Sequence, residues 1–333
     1  MIARASDNRL VGLTTTVPVE IVYAAGLVPL DLNNVFVTSS DPERLLGLAE
    51  TAGFPRTVCA WIKGIYGAVL ERGLDRIIAV TGGDCSNTVA LAEVLERRGV
   101  TVHRFDFPLD RDRAVLQRSM RRLVNEFSTS WDEVVSVGRR LERIRAKLRL
   151  LDRMTFDQNV VRGLENHLFL VSSSDFNGDP DRYEADLDGF LAKAARRPPC
   201  RETIRLGFLG VPPAFTNFYE TVESLGGRVV FNEVQRQFSL PDGEEDPVNA
   251  YLVYTYPYGI EARIRDIRQA VRERGIHGLI HYTQTFCHRQ IHDILLRESL
   301  DPPMLTLEGD RPGPLDGRTL TRLETFLEML KGV

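Results

Sequence analysis

Residues 77–108 of this chain, IIAVTGGDCSNTVALAEVLERRGVTVHRFDFP, align without a gap on residues 279–310, LIHYTQTFCHRQIHDILLRESLDPPMLTLEGD. In each copy an apolar strand passes through a short turn to a cysteine, then to a helical stretch and a closing strand. Cys85 falls on Cys287. A strand–helix–strand unit used twice confines the chain to two similar halves, because parallel strands need a crossover and the crossover here is helical. Each cysteine lies just past a strand and opens a helix. A helix N-terminus favours negative charge and lowers the pKa of a thiol placed there. Two thiolates on matching elements of two half-structures can converge on one metal centre.

The halves extend beyond the aligned stretches. In the first, the pattern predicts strands at 11–14, 27–32, 76–80 and 101–107, with helices at 18–25, 42–51, 59–72 and 86–98. Pro18 suits a first helical turn. In the second, strands are predicted at 205–209, 228–233, 278–282 and 304–308. A helix follows Gly210-Val211-Pro212-Pro213 and ends near Gly226-Gly227; others are expected at 266–275 and 319–330. Alternating strands and helices predict an α/β fold with open parallel sheets, four strands in each and in the same order. The middle lacks strong strand signals. Apolar residues at helical spacing predict helices at 111–125, 131–152 and 181–196, with a polar loop at 172–180. The expected organisation is a first α/β domain at 1–108, a helical connecting region at 109–200 and a second α/β domain at 201–333. Ligands in such folds bind beyond the carboxyl ends of the strands, where Cys85 and Cys287 lie.

A chain of 333 residues is long enough for two ordinary domains, and 43% hydrophobic with 26% charged residues is the composition of a soluble globular protein. The net charge of -4 and the absence of a basic run argue against nucleic acid as a partner. Basic residues are almost all arginine; the lysines are Lys63, Lys147, Lys193 and Lys331. No apolar run approaches the ~20 residues of a membrane span. Residues 1–10 are polar and carry no signal-peptide core. The expected location is the cytoplasm, where thiols stay reduced and serve catalysis, metal binding or packing.

Of the four cysteines, Cys85 and Cys287 are singled out by the repeat. Cys59, in Thr57-Val58-Cys59-Ala60-Trp61-Ile62-Lys63-Gly64, precedes a helix in the first half and can equally be a buried apolar residue. Cys200, between Pro199 and Arg201, has no counterpart in the first half and reads as incidental. Three thiolates suit zinc or an iron–sulfur cubane. Their spacing is neither that of a zinc ribbon nor that of a ferredoxin. A structural zinc would need a fourth ligand, for which His288 is the candidate, although it also reads as a surface or capping residue. A cubane on three cysteines would leave one iron open. Gly82-Gly83 before Cys85 could present N–H groups to a sulfide or anion, or simply form a tight turn. Tyr251, Tyr254, Tyr256 and Tyr258 could line a pocket or pack. No Walker A loop, G-x-G-x-x-G, H-E-x-x-H or G-x-S-x-G occurs.

These residues together resemble the 2-hydroxyacyl-CoA dehydratase D-component family, which also contains benzoyl-CoA reductase subunits and double-cubane cluster proteins. The resemblance covers nearly the whole chain. It rests on Val17-Pro18-Val19-Glu20 with Ala24-Ala25-Gly26-Leu27-Val28-Pro29, on Cys59 before Ile62-Lys63-Gly64, and on Gly83-Asp84-Cys85-Ser86. It continues through Gly278-Leu279-Ile280 to Phe286-Cys287, then residues 305–310, and residues 322–330 with their Glu-x-Phe-Leu-Glu pattern.

The resemblance implies two flavodoxin-like (Rossmann-like) domains with a helical region and a [4Fe-4S] cluster between the domains, held by Cys59, Cys85 and Cys287. It implies a low-potential electron from an ATP-dependent iron–sulfur activator, delivered to an acyl-CoA thioester for ketyl-radical chemistry: dehydration as in a lyase, or reduction as in benzoyl-CoA reductase. It also implies a homodimer or a heterodimer with a related subunit. The chain is shorter than typical members, and His288 stands where many relatives have an acidic residue. Three cysteines cannot hold two cubanes alone, so a double cubane would need thiolates from a second chain or other ligands. The alternatives are a cluster-bearing electron-transfer or partner subunit without its own substrate site, a double-cubane-type reductase of small molecules and, last, a structural Cys3His zinc protein.

Overall fold

The computed structural model describes residues 9–200, 204–243 and 246–332. The sequence expectation for the polar N-terminus falls mostly outside them. The chain forms two compact units: Met1–Arg145 with Ser172–Tyr183 and Asp242–Gly259, and Ala146–Val171 with Glu184–Pro241 and Ile260–Val333.

In the first unit, β1 (Leu10–Leu13), β2 (Val28–Asp31), β3 (Arg76–Gly82) and β4 (Thr101–Asp106) pair in parallel in the order β2-β1-β3-β4. In the second, β5 (Ile204–Leu209), β6 (Gly227–Asn232), β7 (Gly278–Gln284) and β8 (Met304–Gly309) pair in parallel in the order β6-β5-β7-β8. The two orders are the same. Each matches the first four strands of the 2-1-3-4-5 doubly wound sheet. In each sheet the first strand lies between the second and the third, so the chain reverses direction of growth there. The register also repeats: Gly12 pairs with Ile77 as Gly207 pairs with Leu279.

The central strands are apolar because both faces of such a sheet are covered. Ile77, Ile78, Ala79 and Val80 of β3 are all buried. On one face, Ile77 and Ala79 join Ile62, Ile65, Tyr66 and Val69 of the helix Ala60–Arg72 and Leu91 and Leu95 of the helix Asn87–Arg97. In the second unit, Ile280 and Tyr282 pack toward the helices Phe218–Ser224 and Gly317–Lys331. Leu279 packs the other way, toward Ile260–Arg274 and His292–Ser299. Each fully buried aliphatic side chain contributes ~1.5–3 kcal/mol.

The three helices expected in the middle of the chain form as Arg113–Glu126, Trp131–Phe156 and Pro180–Ala194. A further helix, Gly163–Ser172, was not expected, and the polar loop contains a 3-10 turn at Phe176–Gly178. Tyr251, Tyr254, Tyr256 and Tyr258 are buried in the first unit and pack there. Tyr251 Oη bonds to the Val17 carbonyl at 3.0 Å and to Glu20 Oε2 at 2.9 Å, and Glu20 is ion-paired with buried Arg145 at 2.7 Å. Among the described residues, no helix is long and apolar enough to cross a membrane.

Candidate functional site

Cys85 follows β3 by way of Gly83 and Asp84. Cys287 follows β7 by way of Thr285 and Phe286. Both strands are seven residues long and third in their sheets, so the two cysteines occupy equivalent places at the carboxyl ends of the strands. The Cys85 carbonyl accepts from Thr88 N at 3.0 Å, which opens the helix Asn87–Arg97. Cys287 caps a short 3-10 turn, His288–Ile291, before the helix His292–Ser299 begins. The second cysteine thus opens a single tight turn where the repeat predicts a continuous helix. Cys59 is the N-cap residue of the helix Ala60–Arg72 and is buried. None of the four cysteines is in a disulfide. Cys200 lies in irregular chain, its N–H donating to the Asn159 carbonyl at 2.7 Å.

Local structure fixes both loops. Gly83 has φ +89, and a Cβ there would lie 2.8 Å from the Pro257 carbonyl oxygen and 2.9 Å from Phe107 Cβ. It makes the tight turn into Cys85, with the 254–258 segment packed against it. In the second unit the Gln284 carbonyl accepts from Cys287 N at 3.0 Å and from Gln290 Nε2 at 2.6 Å. The Gln284 side chain is itself held, Nε2 donating to the Asp310 carbonyl at 2.8 Å and Oε1 accepting from Tyr282 Oη at 3.0 Å. Phe286, just before Cys287, has φ +65 and is 50% exposed.

The structure adds residues that the repeat alone does not name. His281 of β7 is buried, and its Nδ1 lies 2.7 Å from Asp293 Oδ1. Asp293 also accepts from Thr306 Oγ1 at 2.6 Å and Arg297 Nε at 2.7 Å. Burial alone would raise the Asp293 carboxyl, but the bonds from His281, Thr306 and Arg297 hold it well below the usual carboxylate range. His292 is pushed down to about 4 by burial and by the charge of Arg263, with Arg289, His288 and His281 adding. Partial burial and the Arg289 charge also lower His288, the residue that would complete a Cys3His zinc set. A comparison of the repeats holds the signal for His281: the aligned residue is Ala79, so a polar group replaces a small apolar one within a buried strand.

The donor chemistry fits a soft metal centre: three thiols, each on the amino side of a helical turn, in loops fixed by backbone bonds. Among the described residues no three His, Cys, Asp or Glu side chains stand together as a preformed metal site. Cys59 and Cys85 belong to the first unit and Cys287 to the second.

An α/β protein with two four-stranded parallel sheets of the same strand order and cysteines at equivalent strand ends is the class that fold and site define. The family model for the 2-hydroxyglutaryl-CoA dehydratase D-component matches residues 14–330, and the chain belongs to that family. No curated protein matches the chain closely.

Proposed function

We propose that this chain is an iron–sulfur component of a 2-hydroxyacyl-CoA dehydratase-like system, and that Cys59, Cys85 and Cys287 are the ligands of one [4Fe-4S] cluster. The observation that carries it is the equivalence of Cys85 and Cys287 at the ends of β3 and β7, in a chain whose family membership spans residues 14–330. When bound, such a cluster supplies a low-potential electron that makes a CoA thioester carbonyl carbon nucleophilic, so that a poor leaving group next to it can depart. The chain's own part is to hold and orient. The N-terminal turns after Cys59 and Cys85 favour their thiolates, and the Gln284 carbonyl fixes the backbone at Cys287. Cys200 lies away from any helix start and is left out of the set. The proposed partners are an ATP-hydrolysing activator and a second, similar subunit.

The family description names a component, which favours a second reading: this chain carries the cluster for a partner that binds the substrate. Two measurements test the proposal. Anaerobically purified protein should be brown, with a broad visible absorption that bleaches on reduction; a colourless zinc-bound protein would contradict the cluster. Binding of 2-hydroxyglutaryl-CoA to the chain alone supports a substrate site here, and binding only in the presence of a second subunit supports the partner reading.

A further inference from the structure

His281 lies in β7 beside Leu209, the last residue of β5. β5 and β7 are the neighbours between which the sheet changes direction of growth, and the crevice at their carboxyl ends is where open α/β sheets bind ligands. The imidazole is held at one edge: Nδ1 lies 2.7 Å from Asp293 Oδ1, and Asp293 is fixed by Thr306 and Arg297. Arg297 in turn donates to the Met304 carbonyl at 3.0 Å, so the carboxylate sits in a braced network. The opposite edge, Cδ2, faces Gly210, the residue after β5, at 3.6 Å from where a Cβ would stand. Among the described residues Nε2 has no hydrogen-bond partner. The charged groups around the ring are Asp293 and Arg297 on one helix, His292 at that helix's start, Glu233 on the helix Glu233–Phe238 and Arg263 on Ile260–Arg274. Glu233 and Arg263 are bound to each other.

The fold does not require this pair. At the same place in β3 stands Ala79, buried in the apolar core of the first unit. A buried imidazole paired with a half-buried carboxylate costs desolvation that an apolar contact does not. The similar contact of the first unit, His103 Nδ1 with Glu126 Oε2 at 2.8 Å, lies on the edge strand β4 and is more exposed.

We infer that His281, oriented by Asp293, is the acid–base group of the second unit and takes the substrate proton lost in dehydration; this rests on the function proposed above. Dehydration of a 2-hydroxyacyl thioester breaks one C–O and one C–H bond and forms one carbon–carbon π bond and water. In this step the base is the His281 ring with Nδ1–H directed at the Asp293 carboxylate, 2.7 Å away, and Nε2 open. Nε2 receives the proton from carbon, the C–H electron pair stays behind to form the π bond, and hydroxide departs. The proton then passes from Nε2 to the hydroxide, so atoms balance and His281 is restored. The single electron supplied by the activator is recovered from the product and leaves no net redox change. Asp293 holds the tautomer and stabilises the transient imidazolium.

The test has two arms. In the first, selectively 15N-histidine-labelled protein is examined by NMR between pH 6 and 9, the His281 signals being assigned as those lost in His281→Gln. The inference expects the neutral ring at the upper end of that range to carry its proton on Nδ1, and Asp293→Asn to change that tautomer. A proton on Nε2 of the neutral ring, or an Asp293→Asn spectrum identical to wild type, overturns it. In the second arm, 2-hydroxyglutaryl-CoA is turned over with the activator. His281→Gln should lower kcat by roughly 100-fold or more, and Asp293→Asn by a smaller factor with an altered pH profile. KM and iron content should stay at wild-type values in both. Rates within twofold of wild type at every pH, or loss of iron from both variants, would overturn the acid–base role. A wild-type protein that holds iron but turns over no thioester would instead count against the dehydratase function, and the NMR arm would then decide the pair alone.

Discussion

Arg263 grips Glu233 through two hydrogen bonds, Nε to Oε1 at 2.6 Å and Nη2 to Oε2 at 2.8 Å, with both side chains buried in the second unit. Glu233 Oε2 also accepts from Gly210 N at 2.9 Å, so the pair anchors the turn that faces His281. Burial alone would raise the Glu233 carboxyl; the Arg263 charge and its bonds, with the Gly210 N–H, hold it below the usual range. Removing one partner leaves a buried charge uncompensated. Arg263→Met should therefore destabilise the protein by ~3–5 kcal/mol in urea unfolding. The double variant Glu233→Gln, Arg263→Met should recover part of that loss. A single-variant loss below ~1 kcal/mol would contradict the assigned role.

Asp31 and Asp175 of the first unit give the opposite pH signature. Asp175 Oδ2 accepts from Asp31 N at 2.7 Å, and Asp31 Oδ2 accepts from Ser174 Oγ at 2.6 Å. Burial, with the nearby Asp31 charge, pushes the Asp175 carboxyl up to about 7. Burial raises Asp31 too, against bonds from Ser174 and Asn33. A carboxyl raised on folding binds its proton more tightly in the native state than in the unfolded one. Its contribution is complete below the unfolded value of ~3.9, falls as pH rises and is gone above about 7. Unfolding free energy should decline by a few kcal/mol, to order of magnitude, between pH ~4 and ~7. Asp31→Asn removes the facing charge and should flatten that decline. Urea titrations at stepped pH measure it; equal slopes in wild type and variant would refute the coupling.

Gly83→Ala tests the turn before Cys85. At φ +89 the new methyl would meet the Pro257 carbonyl oxygen at 2.8 Å. Backbone strain of this kind costs on the order of 1–3 kcal/mol. The expected result is a lower urea midpoint together with reduced iron per chain. Wild-type iron retention with unchanged stability would show that the turn does not position Cys85.

Much of the fold is legible in the sequence because strands with both faces covered read as apolar runs, as in Ile77-Ile78-Ala79-Val80 and Gly278-Leu279-Ile280. The ungapped match of Cys85 to Cys287 survives as equivalent strand ends. Short elements are not legible: Leu32–Val37 and Glu233–Phe238 span too few residues to show a helical period. The helix Gly163–Ser172, GLENHLFLVS, offers only ten residues and a largely apolar second half. Long-range polar contacts leave no local trace. Asp31 and Asp175 stand far apart in sequence, and each reads as an ordinary turn or capping residue. His281 is the exception, visible once its repeat partner is seen to be Ala79.

The sequence has no Walker A loop, so the purified chain should show no ATP hydrolysis, and ATP-dependent reduction should appear only when an activator is added. A coupled phosphate-release assay on the chain alone checks this. Substantial turnover that persists through repeated purification would remove the need for a separate activator.

Cys59, Cys85 and Cys287 are the proposed ligands, and iron with acid-labile sulfide per chain, measured after anaerobic purification of four single alanine variants, tests them most directly. Cys59→Ala, Cys85→Ala and Cys287→Ala should each lose most of the iron and sulfide, since each removes one of three anchoring thiolates. Cys200→Ala should keep the wild-type content. Loss of the cluster in Cys200→Ala with retention in Cys59→Ala would contradict the ligand set and the function built on it.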